Sequence, residues 1–138
     1  MAVSFAKLSI GETYTRQELA DLWGYAGIEA LSRGVVTPRD DKKIILFVTR
    51  EKRSCDTQYR NDLVGNVLLW EGPEKHGAED RIIAHVENDD AIHVFYRNEH
   101  AEPFTYVGAM MLYCAQRMAD RPSRFVFQAV AAHAASAA

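Results

Sequence analysis

The stretch KIILFVTR, from Lys43 to Arg50, is apolar without a break from Ile44 to Val48 and is rich in β-branched and aromatic residues. An apolar run of this length, without alternating polar residues, is typical of a strand that is buried on both faces of a sheet. The chain has 138 residues, which is enough for one domain with a real core and too few for two. We therefore expect this strand to lie at the centre of a single domain.

Other segments with strand character lie on either side of it and are separated by turn signals. They are Gly34–Pro38, Asn66–Glu71, Ile92–Arg97, Phe104–Val107 and Arg124–Gln128. Arg81–Val86 fits either a strand or a short helix, and Ile28–Leu31 fits a short helix. The turn-rich segments 88–91 and 98–103 predict antiparallel neighbours.

Two polar segments are predicted to be loops. Glu51–Asp62 reads EKRSCDTQYRND and lacks a strand pattern. Gly72–Asp80 reads GPEKHGAED and combines two glycines, a proline and five ionisable residues. The second loop is long for a compact domain, which favours a function there.

One helix is predicted near the N-terminus, within YTRQELADLWGY. Thr15 is followed three residues later by Glu18, which is the capping-box spacing. Leu19, Leu22 and Trp23 then fall on one face. Gly24 can take the left-handed conformation that ends a helix.

These segments predict a fold of the α+β class. We expect a small curled or half-closed β-barrel of about five to seven strands with one or two short helices. It is predicted to span residues 1–128 as a single domain, with the alanine-rich residues 129–138 as a tail or linker. An open barrel end exposes its core, so we expect the helix to plug it; the alternative is that the helix contacts a ligand.

The composition limits the partners and the compartment. The net charge of −3 argues against a broad basic face that binds any nucleic acid by charge alone. No apolar run approaches the ~20 residues of a membrane span, and no signal peptide is visible. A cytoplasmic protein that does not bind membranes is predicted. Cys55 and Cys114 are most simply two free thiols, with a disulfide left open.

No catalytic machinery is recognisable. The sequence contains neither a glycine-rich phosphate loop nor Gly-x-Ser-x-Gly, and its five histidines show no metal-ligand spacing. The fragment RDDKK resembles part of a nuclease pattern, but it lacks an upstream acidic partner and fits a solvated turn better. We therefore predict no enzyme, no cofactor and no metal.

Tyr59 stands out because it lies in a polar segment, three residues before Asp62. Four cations surround it in sequence: Arg50, Lys52, Arg53 and Arg60. A stacking aromatic, a carboxylate that can accept from an exocyclic amine, and phosphate-binding cations are the parts that hold a nucleobase. The alternative is that Tyr59 folds back onto the barrel and Asp62 caps a turn.

Several stretches also resemble, in order and in spacing, a bacterial domain found behind helicase modules and in front of HNH nucleases. They are YTRQEL, LFVTREK with QYRND, LLWEG, HGAEDRI, IHVFYR and FTYVGA. The resemblance covers about Phe5 to Gln128. It implies a fold similar to the PUA and SRA-like barrels, which read modified bases in DNA restriction systems. The chain departs from the family pattern because it carries no helicase or nuclease motif.

The resemblance implies roles for particular residues. A flipped cytosine would stack between Tyr59 and Trp70, and Asp62 would accept from its N4 amine. Phosphate contacts would come from the four cations around Tyr59, while Lys75 and His76 in the long loop would enter a groove.

The sequence therefore predicts a non-catalytic reader of modified double-stranded DNA, of 5-methylcytosine or a related cytosine, in host defence. A nuclease or helicase is the further partner that the resemblance implies. The alternative is a protein-interaction module that docks such an enzyme and has no base pocket. The chain would be either an isolated reader or the front part of a longer protein.

Overall fold

The computed structural model describes residues 3–38, 42–50, 61–72, 79–99, 101–118 and 123–130. In chain order the elements are β1 Thr13–Tyr14, α1 Arg16–Trp23, a 3-10 turn Glu29–Leu31, β2 Val35–Val36, β3 Lys43–Thr49, β4 Asp62–Val64, β5 Val67–Glu71, α2 Glu79–Ile83, β6 Ala91–Arg97, β7 Phe104–Gln116 and β8 Arg124–Ala129. The strands form one mixed sheet in the order β2-β3-β6-β7-β8-β5-β4, with β1 paired to β7. The path does not return on itself, so the predicted α+β curled sheet is confirmed.

Strand β3 lies between two other strands and is buried on both faces, as its apolar run predicts. It pairs antiparallel with β2 and parallel with β6, in register from Lys43 with Ala91 to Thr49 with Arg97. Of the two turn-rich segments, 98–103 lies between β6 and β7, which pair antiparallel as predicted. Segment 88–91 lies between α2 and β6, so the prediction of antiparallel neighbours is wrong there.

Two hydrophobic clusters lie on the two faces of this sheet. The inner cluster collects side chains from β3, β5, β6, β7 and β8 and from α2: Ile44, Leu46, Val48, Leu68, Trp70, Ile82, Ile92, Val94, Tyr96, Met110, Phe125 and Phe127. The outer cluster joins the other face of the central strands to the N-terminal segment: Val3, Leu19, Ala20, Trp23, Leu31, Val36, Ile45, Phe47, Phe95, Phe104 and Tyr106. The alternation of β3 thus supplies both clusters.

Helix α1 begins and ends as predicted. Glu18 N–H donates to Thr15 Oγ1 at 3.1 Å, and Thr15 N–H donates to Glu18 Oε1 at 3.0 Å. Gly24 closes the helix with a φ of 77°. Leu19 and Trp23 are buried, but Leu22 is 40% exposed, so its predicted place on the buried face is wrong.

The helix covers the sheet rather than plugging an open end. Leu19 and Trp23 belong to the outer cluster with Ile45, Phe47 and Phe95 of the central strands. The prediction of a plug is therefore wrong, because β3 and β6 carry large apolar side chains on their second face that need their own cover.

Strand β7 runs far beyond the predicted Phe104–Val107 and contains a bulge. Val94 pairs with Gly108 while Phe95 pairs with Tyr106, so Val107 is an extra residue. Gly108 has a φ of 108°, a conformation that glycine adopts without strain. The bulge changes the alternation, which allows Tyr106 to join the outer cluster and Met110 to join the inner one.

Three other predictions meet a different or an incomplete outcome. Asp62, predicted as the last residue of a loop, instead begins β4, which pairs with β5 as an edge strand. The ambiguous segment Arg81–Val86 is α-helical only in its first half, because α2 begins at Glu79 in the predicted loop and ends at Ile83. Cys114 is an exposed free thiol, whereas Cys55 and most of the alanine-rich tail lie outside the described residues.

His93 makes the stability of this fold depend on pH. Its Nδ1 lies 2.8 Å from Tyr106 Oη, and its ring stacks on Phe5 with centroids 3.5 Å apart. Burial, with a smaller contribution from the charge of Lys43, lowers the pKa of His93 from 6.5 to about 4. Between these values the unfolded chain binds more protons than the folded one, so stability should fall as the pH drops.

We expect His93→Gln to remove this dependence while it keeps a hydrogen bond to Tyr106. His93 is only partly buried, so the wild-type loss between pH 6.5 and pH 4 is expected to be about 2 kcal/mol. Urea denaturation at a series of pH values measures the difference between the two proteins. A variant that loses as much stability as wild type over this range would contradict the assignment.

Candidate nucleic-acid interface

The ends of β3 and β6 and the start of β4 meet at one place. Arg50 N–H, just after β3, donates to Arg97 O at 2.9 Å. Arg50 Nε lies 3.6 Å from Asp62 Oδ1, and these two side chains are 50% and 38% exposed. The structure therefore brings together two of the predicted site residues, Arg50 and Asp62, in an accessible ion pair.

Asn61 anchors this meeting point from inside. Its buried amide donates from Nδ2 to Thr49 O at 3.1 Å, and its Oδ1 accepts from Glu71 N–H at 3.2 Å. Thr49 and Glu71 are the last residues of β3 and β5. Asn61 thus links the strand ends from which the two predicted loops begin. Sequence analysis did not identify this role, because Asn61 appeared there only as a member of QYRND.

Most of the predicted base and phosphate contacts lie in those two segments. Segments 51–60 and 73–78 are outside the described residues. The predicted site residues that fall there are Lys52, Arg53, Tyr59, Arg60, Lys75 and His76. Their roles stay predictions.

Trp70 lies in the core. It is 5% exposed, and its ring centroid is 5.3 Å from that of Phe125 and 6.0 Å from that of Phe127. Asp62 pairs with Leu69, so the side chains of these two residues point to the same face of the sheet. Trp70 follows Leu69 in β5, so its side chain points to the opposite face. Because successive residues of β5 point to opposite faces, these strands do not form a pocket that both Asp62 and Trp70 line.

Tyr96 is a buried aromatic residue close enough to Arg50 and Asp62 to feel both charges. It is buried in the inner cluster, and its hydroxyl donates to Asn61 O at 3.4 Å. Burial raises the pKa of Tyr96; a hydrogen bond with the Leu63 backbone and the charge of Arg50 lower it by less, and the charge of Asp62 raises it slightly. The position of Tyr96 depends on the register of β6 against β3. Sequence analysis therefore could not distinguish it from the other aromatic residues of the strands.

A cavity of about 310 Å³ opens on the outer face of β5, β7 and β8. Leu69, Cys114 and Val126 occupy one register row of its lining, and Glu71 and Arg124 occupy the next. Its size lies at the lower limit for small-molecule sites. Asp62 pairs with Leu69 and so borders this face without lining the cavity.

Within the ranges that the structure describes, no three histidine, cysteine or acidic side chains are placed to hold a metal ion. In the same ranges, no helix has both the length and the hydropathy needed to cross a membrane.

The fold as a whole is SRA-like, as comparison with solved structures shows. Two crystal structures of the SUVH5 SRA domain in complex with fully methylated CG DNA match the chain with TM-scores of 0.59 and 0.58. Each match covers 94% of this chain and 94% of the SRA chain, at 11% and 10% sequence identity. At this identity the similarity concerns the fold. No protein-family model and no curated protein matches the sequence.

Proposed function

We propose that the protein is a non-catalytic DNA-binding module that recognises 5-methylcytosine or a related modified cytosine in duplex DNA, in a restriction or defence system. The observation that carries this proposal is the accessible ion pair of Arg50 and Asp62 where three strands meet, next to Asn61, whose carbonyl accepts from Tyr96. The SRA-like fold supports it, because the matching SUVH5 structures are complexes with methylated DNA.

Asp62 is proposed to accept a hydrogen bond from the N4 amine of a flipped cytosine. The nearby Arg50 guanidinium orients the carboxylate, and Tyr59 is proposed to stack on the base. Flipping costs a few kcal/mol, and aromatic stacking returns about 1–3 kcal/mol per base. Phosphate contacts must supply the remainder, and we propose Lys52, Arg53 and Arg60 of the adjoining segment for them. Lys75 and His76 of the other segment are proposed to enter a groove of the duplex.

The proposal predicts a preference among duplexes that differ at one base. Three duplexes carry cytosine, 5-methylcytosine or 5-hydroxymethylcytosine at one site, and their affinities are measured at two salt concentrations because phosphate contacts depend on salt. We expect tighter binding to one of the modified duplexes at both concentrations. A 2-aminopurine beside the site is expected to brighten on binding, because flipping removes its stacking partner. Equal affinity for all three duplexes would contradict base recognition, and no binding would contradict the proposal as a whole.

A second candidate function is the docking of a nuclease or helicase. One row of the sheet runs through Val64, Val67, Gln128 and Met111, and Val64 and Met111 are 69% and 47% exposed. Exposed apolar side chains on one sheet face suit a protein partner. A docking module without a base pocket would bind the three duplexes equally or not at all, so the same measurement separates the two functions.

A further inference from the structure

Two arginines from distant parts of the chain meet at the ring of Phe104. Arg16 begins α1, and its Cζ lies 4.9 Å from the centroid of Phe104 and 4.8 Å from that of Phe47. Arg97 ends β6, and its Cζ lies 4.2 Å from the centroid of Phe104. Both guanidinium groups are therefore held by the same aromatic cluster.

The hydrogen bonds of this arginine pair are to neutral groups. Arg16 Nε donates to Leu31 O at 2.6 Å. Arg97 Nε donates to Thr49 Oγ1 at 2.8 Å, and its Nη1 donates to Glu102 O at 3.2 Å. The Glu102 carboxylate accepts instead from Glu99 N–H. Among the described residues neither arginine forms a salt bridge, and donors remain on both guanidinium groups.

This arrangement is electrostatically incomplete. Burial and, to a smaller extent, the positive charge of Arg16 lower the pKa of Arg97 to about 10, and the charge of Glu102 offsets only part of this. Burial also lowers the pKa of Arg16. Two half-buried like charges repel each other and have lost part of their hydration, so an anion that contacts both guanidinium groups would relieve both costs.

Packing alone does not explain why two arginines are needed. Arg97 already covers Phe104, and Arg16 adds a second charge at the same ring. Four of the family-like stretches converge here, since YTRQEL supplies Arg16, LFVTREK supplies Phe47, IHVFYR supplies Arg97 and FTYVGA supplies Phe104. The arginine pair also adjoins the candidate interface, because the backbone of Arg97 is bonded to Arg50.

We propose that Arg16 and Arg97 together bind one phosphate group of the DNA backbone, at a site distinct from the Arg50–Asp62 base contact. This inference rests on the proposed DNA-binding function. A guanidinium fork matches the oxygens of a phosphate, and Phe104 keeps both forks in place. The arginine pair would fix the register of the protein on the duplex without reading a base.

The matched variants are Arg16→Gln and Arg97→Gln, with Arg117→Gln as the control. The control variant removes the same charge, but from a guanidinium that is already paired in the protein. Arg117 Nε lies 3.5 Å from Glu79 Oε1, and its Nη2 lies 2.9 Å from Asp80 Oδ1. Each test variant is expected to bind every duplex about ten-fold more weakly, with a salt slope shallower by about 0.9 for each phosphate that is no longer bound. The control is expected to keep the wild-type slope.

A measurement on the wild-type protein covers the case in which a variant does not fold. The arginine Nε–H signals are followed by NMR as duplex is added, and those of Arg16 and Arg97 are expected to shift. If other signals move and neither of these does, the phosphate site is wrong while DNA binding stands. If no signal moves, the proposed function fails together with the inference. Folded variants that keep the wild-type salt slope, or that lose only the preference for a modified base, would also overturn the site.

Discussion

Trp70→Ala is expected to reduce the free energy of unfolding by about 3–5 kcal/mol, the range for removing a buried aromatic side chain. Trp70 is 5% exposed and packs against Phe125 and Phe127 in the inner cluster. Its removal leaves a cavity where β5 meets β8, and each of the two phenylalanine rings is left without the indole against which it packs. Denaturant titration of the wild type and the variant measures the difference.

Trp70→Phe is the matched control for this experiment. It keeps an aromatic ring against Phe125 and removes only part of the buried volume, so a smaller loss of stability is expected. Both proteins, when folded, should keep the preference of the wild type among modified duplexes. The opposite result, a Trp70→Ala protein of nearly unchanged stability that no longer distinguishes the bases, would restore the stacking role that the sequence suggested.

The elements that could be predicted from the sequence are those set by short-range signals. Thr15 and Glu18 cap α1 within one turn, and the run from Ile44 to Val48 needs no knowledge of its neighbours to be buried. Gly108 shows the opposite case. FTYVGA reads as an ordinary strand end, and only the pairing of β7 with β6 shows that this glycine allows the strand to continue past a bulge.

The candidate site was only half predictable for the same reason. Arg50 and Asp62 flank one polar segment, so their closeness follows from the return of the chain. Asn61 and Tyr96 come together through the pairing of β6 with β3 and the return of the chain to β4, which no local pattern encodes. Trp70 was proposed as a base contact because its neighbours in sequence resemble the family motif. The alternation of side chains along β5 instead directs its ring into the inner cluster.

Asp62→Ala is expected to weaken binding to the preferred modified duplex by about ten- to a hundred-fold. The loss of a hydrogen bond to a charged acceptor costs about 1.5–3 kcal/mol, at about 1.4 kcal/mol per decade of affinity. Binding to the unmodified duplex should change little, so the discrimination between the two is the quantity to measure. The fold should survive, because the ion pair with Arg50 is exposed and such pairs contribute about 0–1 kcal/mol.

Two further variants separate the base contact from other effects of losing this carboxylate. Asp21→Ala removes a carboxylate from the exposed face of α1, where it accepts from Gln17, and should leave both affinities unchanged. Asp62→Asn keeps the shape of the side chain but not its charge, so its loss of discrimination should be intermediate. An Asp62→Ala protein that discriminates as well as wild type would place the base acceptor elsewhere. If Asp62→Ala unfolds the domain, the alternative that Asp62 is a structural residue is correct, and β4 then depends on that ion pair more than its exposure suggests.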